Sequence, residues 1–324
     1  MTGLQSMLDP AGPQAGRIAA LWWILFAIAA LVTIAVVLAT VVAARKGIQR
    51  RRDALGDVAI LHQPPEQHRR VTTVISVLTA VTGLVLFAFL ILSIRTGRAI
   101  ARPATDPSLE IQVTGRQWWW AVEYLDPLPD RRLTTANELV IPAGRPVRIK
   151  LVSADVIHSL WIPALAGKRD LVPGMPSWTW IQADSAGTWR AVCAEFCGYQ
   201  HAKMALWVVA LPESSYARWY EAQLQPAAAP SDSLAARGHD LFVTGPCAMC
   251  HAIRGTSAGS RVGPDLTHLA SRRSLAAGSL PNDSVHLRRW VTDPQRIKPG
   301  ARMPAIAISD PDLRAILHYL GTLR

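Results

Sequence analysis

The chain has 324 residues, half of them hydrophobic, and a formal net charge of +11. That length has room for two or three domains. The charge is divided as +7 over residues 1–104, −1 over 105–215, −1 over 216–232 and +6 over 233–324, which reads as membrane topology and solvated surface. With no recognition motif behind it, the charge gives no ground for nucleic-acid binding.

Two runs without a charged residue come first, Ile18 to Ala44 and Val71 to Ile94. Each exceeds the roughly 20 apolar residues that cross a bilayer. Buried soluble helices are the alternative, and uncharged runs this long argue against it. Arg45, Lys46, Arg50, Arg51, Arg52, Arg69 and Arg70 lie in the connector, and short cationic loops stay in the cytoplasm. Residues 1–104 are therefore predicted to form a transmembrane hairpin with helices about 18–44 and 71–94. Both termini then fall on the outer, periplasmic face of the cell inner membrane. Met1 to Gly16 has no positive n-region or h-region, so no cleavable signal is expected there.

Residues 105–215 change character. Ile111-Gln-Val-Thr, Glu138-Leu-Val-Ile, Val147 to Val152, Trp178-Thr-Trp-Ile and Leu206 to Leu211 are short apolar runs between turn residues, the pattern of a β-sandwich or barrel. Residues 216–232 read as a linker, most plainly at Pro226-Ala-Ala-Ala-Pro230-Ser-Asp-Ser. Residues 233–324 read as a small, mainly helical domain. Helices are predicted over Leu234–Val243, around Ser284–Thr292, and over Asp310–Leu323 with Asp310-Pro311 at its start.

Two motifs use all four cysteines. Cys193-Ala-Glu195-Phe-Cys197-Gly-Tyr-Gln-His201-Ala-Lys-Met204 packs two thiols, an imidazole and a thioether into twelve residues. Soft thiolate and thioether ligands select copper, and imidazole suits it too. Two thiolates can bridge two copper ions that share one electron. A second imidazole would be needed, and His158 is the best candidate. A zinc site or a disulfide is the alternative, although Met is a poor zinc ligand. Cys247-Ala-Met-Cys250-His251 is the C-x-x-C-H pattern of covalently attached haem, with a redox dithiol or half a zinc site as the alternative. Met303, in Lys298-Pro-Gly-Ala-Arg-Met303-Pro304, is the only downstream Met. His268, His286 and His318 compete with it for the sixth iron position.

Residues 108–211 resemble cytochrome c oxidase subunit II. The matching stretches are Gln117-Trp118-Trp119-Trp120, His158 to Leu165, Lys168-Arg-Asp-Leu-Val-Pro-Gly174 and Cys193 to Met204. The resemblance implies a cupredoxin-like β-barrel with a binuclear CuA centre. Its ligands would be His158, Cys193, Cys197, His201, Met204 and the backbone carbonyl of Glu195. It also implies a magnesium ion shared with subunit I through the Glu195 side chain, a hard-oxygen ligand, and electron entry through Trp118. Residues 233–324 resemble a class I, all-α cytochrome c. That resemblance implies thioethers from Cys247 and Cys250, His251 and Met303 on the haem iron, the Pro264 carbonyl orienting His251, and Trp290 in the haem surroundings.

The combination is similar to subunit II of a caa-type cytochrome c oxidase. It implies partnership with subunit I, with subunit III and a small subunit IV, and with an external donor: cytochrome c, a cytochrome bc complex or another redox protein. Electrons would pass from donor to haem c to CuA to subunit I, where oxygen is reduced. The tether is expected to supply most of the proximity between the two centres. The CuA subunit of a nitric oxide reductase is the alternative within electron transfer, and a copper-delivery protein the alternative outside it. The hairpin departs from the family: many relatives carry a glutamate near the start of the second membrane helix, whereas no carboxylate lies between Val71 and Ile94, and Glu66 is not in register.

Overall fold

The computed structural model describes residues 5–53 and 65–324. The middle of the basic connector lies outside them. Helices α1 (Pro13–Asp53) and α2 (Pro65–Ala101) extend beyond the predicted apolar spans at both ends. Each contains a stretch long and apolar enough to cross a membrane. The excess length of α1 carries the cations Arg45 to Arg52, which suit the negative C-terminal end of a helix dipole. The Arg17 guanidinium donates to the Ala99 carbonyl, so the start of α1 lies beside the end of α2.

The barrel is built from two five-stranded sheets. The first runs β3 (Leu133–Ala136), β2 (Trp119–Tyr124), β1 (Leu109–Arg116), β5 (Val147–Ser153), β8 (Ser177–Ile181). The second runs β4 (Glu138–Pro142), β10 (Ala205–Leu211), β9 (Gly187–Cys193), β6 (His158–Trp161), β7 (Arg169–Leu171). Strands β1 and β5 are parallel, as are β4 and β10, and the other pairings are antiparallel. Period-two alternation sets the core. Val147, Ile149 and Leu151 of β5 point inward, while Arg148 and Lys150 point out. Trp120 and Tyr124 fill the space between the sheets. The buried Tyr124 hydroxyl donates to the Val140 carbonyl and accepts from its N–H, both at 2.8 Å.

Residues 11–15 also belong to the barrel. Ala11 N–H donates to Ala164 O at 2.7 Å, and Asp184 N–H donates to Ala11 O at 2.9 Å. The Gln14 amide donates to Trp180 O at 2.6 Å. Gly12 permits this approach, since a Cβ there would sit 2.2 Å from the Gln182 carbonyl oxygen.

The expected linker over 216–232 needs correction in its first half. Glu213–Leu224 is helix α3. Tyr216 and Tyr220 bury against the barrel, and the Tyr220 hydroxyl donates to Arg131 O at 2.7 Å. Burial of two aromatic side chains is worth about 1.5–3 kcal/mol each, enough to fold a segment that composition alone leaves polar. The extended remainder is strapped to the next domain through Ala227 N–H and Arg254 O at 2.9 Å.

That domain contains α4 (Ser233–Thr244), α5 (Ser284–Thr292), α6 (Pro294–Ile297) and α7 (Asp310–Thr322). A two-stranded ribbon, β11 (Ser274–Leu275) and β12 (Leu280–Pro281), lies between α4 and α5. Asp232, Asp283 and Ser309 cap α4, α5 and α7 by accepting backbone N–H groups. Helix α4 packs on α7 at Gly238, where a Cβ would come within 2.0 Å of Ala315 O. Phe242, Ile316, Tyr319 and Leu320 form the core around this crossing.

Candidate functional site

Strands β6 and β9 and the loop after β9 gather the soft donors. Ala194 N–H donates to Ser159 O at 2.9 Å, and Cys193 N–H donates to Met204 O at 3.1 Å. These bonds pin both ends of the loop to the sheet. Cys193 Sγ and Cys197 Sγ lie 3.7 Å apart. His158 Nδ1 is 3.9 Å from Cys193 Sγ, and His201 Nδ1 is 3.6 Å from Cys197 Sγ. Met204 Sδ is 3.9 Å from Cys197 Sγ, and the Glu195 carbonyl oxygen is 3.2 Å from Cys193 Sγ. Two central sulfurs thus carry one imidazole each at the flanks, with a thioether on one side and a carbonyl on the other. That donor set fits a pair of soft-to-borderline copper ions.

The surroundings orient these donors. His158 Nε2–H donates to Asp155 Oδ1 at 2.7 Å, which leaves Nδ1 free to face Cys193. Asp155 Oδ2 accepts the Gln117 N–H at 2.7 Å. Burial opposes charge on His158, but the hydrogen bonds and charges of Asp155 and Cys193 together outweigh it and hold the imidazole above its usual range. Burial likewise opposes charge on Asp155, but the His158 bond together with the Gln117 and Val156 N–H groups holds that carboxyl low. Gly115 lies flush under the ring, since a Cβ there would be 2.7 Å from His158 Cδ2. The Cys197 S–H lowers the pKa of Cys193, with help from His158, whereas the neighbouring sulfur raises Cys197. A divalent or monovalent soft cation between them would favour both thiolates. The Glu195 carboxylate points away from the sulfurs, 42 % exposed and 3.5 Å from Lys168 Nζ.

The second constellation lines an apolar cavity of about 280 Å³. Cys247, Cys250, His251, Pro264, Trp290 and Met303 all contribute to its wall. His251 Nδ1–H donates to Pro264 O at 2.7 Å, which aims Nε2 as the free ligand atom. Burial holds this imidazole below its usual pKa, so it is neutral near pH 7. Gly263 lies against the ring, where a Cβ would be 2.7 Å from Cε1. Two thiols, one oriented imidazole and one thioether on apolar walls fit a thioether-linked haem. The competing histidines are engaged elsewhere: both His268 nitrogens face carbonyls of Arg324 and Gln225, while His286 and His318 pair with Asp283 and Asp232.

Trp118 joins the two sites. It is 9 % exposed and lines the same cavity. Its indole N–H donates to Cys197 O at 2.8 Å, and so does the Gln117 amide. Its ring packs between Gly198 and Gly300: a Cβ on Gly198 would lie 3.1 Å from Cζ2, and one on Gly300 would lie 3.6 Å from Cη2.

The two domains meet along a seam absent from the sequence reading. Ala205 N–H donates to Ala277 O at 3.0 Å. The Gln200 amide donates to Pro299 O at 2.9 Å, and Lys203 Nζ to Ile297 O at 2.5 Å. Arg273 stands over the Trp207 ring at 5.8 Å. Lys298 is 3 % exposed at the centre of the seam. Direct contact therefore adds to the proximity that the tether was expected mostly to supply. No periodicity or motif marks such contacts. The nearest sequence signal is a lysine opening the Pro-Gly loop that leads to Met303.

Known families match both redox domains. Residues 125–211 match the family "Cytochrome C oxidase subunit II, periplasmic domain", and residues 235–324 match "Cytochrome c". "Cytochrome c oxidase subunit 2" of Alkalihalophilus pseudofirmus is 34 % identical over 98 % of this chain and 90 % of that protein. The chain belongs to the cytochrome c oxidase subunit II family. The Bacillus subtilis "Cytochrome c oxidase subunit 2" is 30 % identical over 69 % of this chain and 64 % of its own length. A crystal structure of the periplasmic domain of subunit II (CoxB) of Bradyrhizobium japonicum is 29 % identical, covering 37 % of this chain and 96 % of that one, with a TM-score of 0.35. This subunit II therefore carries a cytochrome c domain behind its copper-type barrel, as part of an oxidoreductase complex with subunit I. The nitric oxide reductase and copper-delivery readings have no counterpart among these relatives.

Proposed function

We propose that this subunit carries electrons inward through its two domains in a caa-type oxidase. The observation that carries the reading is Trp118, which lines the wall holding Cys247 and His251 and also donates its indole N–H to Cys197 O. Cys247 and Cys250 would hold haem c as thioethers, with His251 and Met303 on its iron and Trp290 beside it. His158, Cys193, Cys197, His201, Met204 and the Glu195 carbonyl would hold binuclear CuA. When bound, these groups supply one-electron chemistry, the haem taking electrons from an outside donor and the copper pair handing them toward oxygen reduction in subunit I.

The chain's own residues orient and insulate. Asp155 and Pro264 fix one imidazole each. Trp118 and Gly300 pack against each other between the sites. The Glu195 side chain would serve magnesium at the subunit I face, where Phe196 and Tyr199 of the donor loop are strongly exposed. Subunit III, a small subunit IV and an outside donor such as cytochrome c or a cytochrome bc complex complete the assembly. The +6 of residues 233–324 would steer an acidic donor. Residues 11–15 are hydrogen-bonded into the barrel, which supports an N-terminus on the same, periplasmic, side as both redox domains.

Trp118→Phe in the purified oxidase tests the route. It should slow haem-to-copper transfer after flash reduction by about tenfold, the effect of about 1.4 kcal/mol on a rate. An unchanged rate would refute it.

A further inference from the structure

Lys298 is a buried ammonium whose partners are all carbonyls. Its Nζ donates to Trp118 O at 2.7 Å, Lys203 O at 2.9 Å and Ala276 O at 3.2 Å. An ammonium has three protons, and here each has one acceptor. Two acceptors belong to the barrel, while the third and Lys298 itself belong to the cytochrome c domain. Burial and the nearby Lys203 charge pull Lys298 down to about 7, and the three carbonyls work the other way by favouring the charged form. A buried charge tolerates no loose arrangement, because losing any acceptor leaves it uncompensated.

The acceptors are at informative places. Trp118 bridges the two sites, and Lys203 immediately precedes the thioether donor Met204. Lys298 itself opens the loop that carries Met303, and Gly300 of that loop lies over the Trp118 ring. One ammonium therefore ties together the two methionine-bearing loops and the aromatic between them.

We propose that Lys298 is a positioning residue for electron transfer, locking the cytochrome c domain in one pose on the barrel so that transfer proceeds from a fixed docked state. The inference rests on the proposed haem-to-copper route and adds to it how the pose is held. Without the lock the domain is a tethered body that must find its pose by diffusion.

The test uses the purified, fully loaded oxidase. Lys298→Met should slow internal transfer about tenfold or more, the scale of a lost charged hydrogen-bond set. The residual rate should fall as glycerol is added, whereas the wild-type rate should not. Amide exchange at Ala205, whose N–H crosses the seam to Ala277 O, should accelerate by a similar factor. The absorption spectra of both centres should stay as in wild type. Should Lys298→Met fail to accumulate, Lys298→Arg keeps the charge but replaces a compact three-proton head by a planar fork, and the same shifts should appear at smaller size. Unchanged transfer with unchanged exchange at Ala205 would overturn the proposal. So would loss of methionine ligation, which would make Lys298 a prop of the Met303 loop. Accelerated exchange at Ala205 in Lys298→Met together with an unaltered rate in Trp118→Phe would separate the lock from the route.

Discussion

The copper loop and the haem cavity solve ligand placement in opposite ways. In the barrel, two sheets and a pinned loop bring two sulfurs, two imidazole nitrogens, a thioether and a carbonyl to within 4 Å of a neighbouring sulfur. The protein framework alone fixes that geometry. In the cytochrome c domain, short helices and loops pack around an apolar cavity, and what fills the cavity contributes to the core. The copper donors should therefore decorate a fold that stands without them, and the haem donors should belong to a fold that depends on its cofactor.

The sharpest way to break this contrast is to withhold each cofactor. Cys247→Ala with Cys250→Ala should abolish covalent attachment and strip amide-exchange protection from α4 and α7, while protection in β5 and β10 stays. Copper chelation should leave protection in both domains close to that of the loaded protein. Equal losses in the two cases would remove the distinction.

Next in size is Cys197→Ser. A hydroxyl cannot bridge as a thiolate does, so the delocalised mixed-valence copper signal should vanish while the barrel's melting changes little. Metal analysis and electron paramagnetic resonance read the first, and circular dichroism reads the second.

Met303→Ala should keep the haem attached and lower its potential, because methionine ligation raises it. Reduction by the outside donor should slow. A wild-type methionine-ligated spectrum in the variant would show that another residue holds the sixth position.

The smallest effect concerns helix capping in the haem domain. Backbone N–H and His318 contacts hold Asp232 below the usual carboxylate range, the His318 bond being the larger cause. A depressed carboxyl stabilises fully above its unfolded pKa and loses that contribution as pH falls through its folded one. Asp232→Ala should lower haem-domain melting modestly near neutrality, and the gap to wild type should close in strong acid. A gap independent of pH would point to packing instead.

The sequence made the chemistry legible because it is local. Cys193 to Met204 and Cys247 to His251 each fit within one loop, and soft-donor spacing reads directly. The transmembrane runs and the alternating strands were legible for the same reason, since their periodicity is short. Helix α3 was not, because Tyr216 and Tyr220 gain their stability only from a barrel surface far away in sequence. Residues 11–15 were invisible as barrel components, since their hydrogen bonds reach Ala164, Trp180 and Asp184. Nothing local in the sequence marks Lys298 as buried, and only the docking of its loop shows that it is enclosed. Asp155 beside His158 carries no signal in the sequence, because a carboxylate three residues from an imidazole is ordinary unless the two side chains face each other.

The packing of α4 on α7 has a consequence for the order of events during synthesis. The haem domain's first helix makes its main packing contact with a helix some 75 residues later, through Gly238 and Ala315. While the ribosome is still producing residues 245–309, α4 has no partner to cross, and long-range closure of this kind is slow relative to local folding. The barrel, whose last strand ends at Leu211, is complete by then. It stands ready as a template on which the later domain can settle, so copper-domain variants that delay barrel closure should also delay maturation of the haem domain.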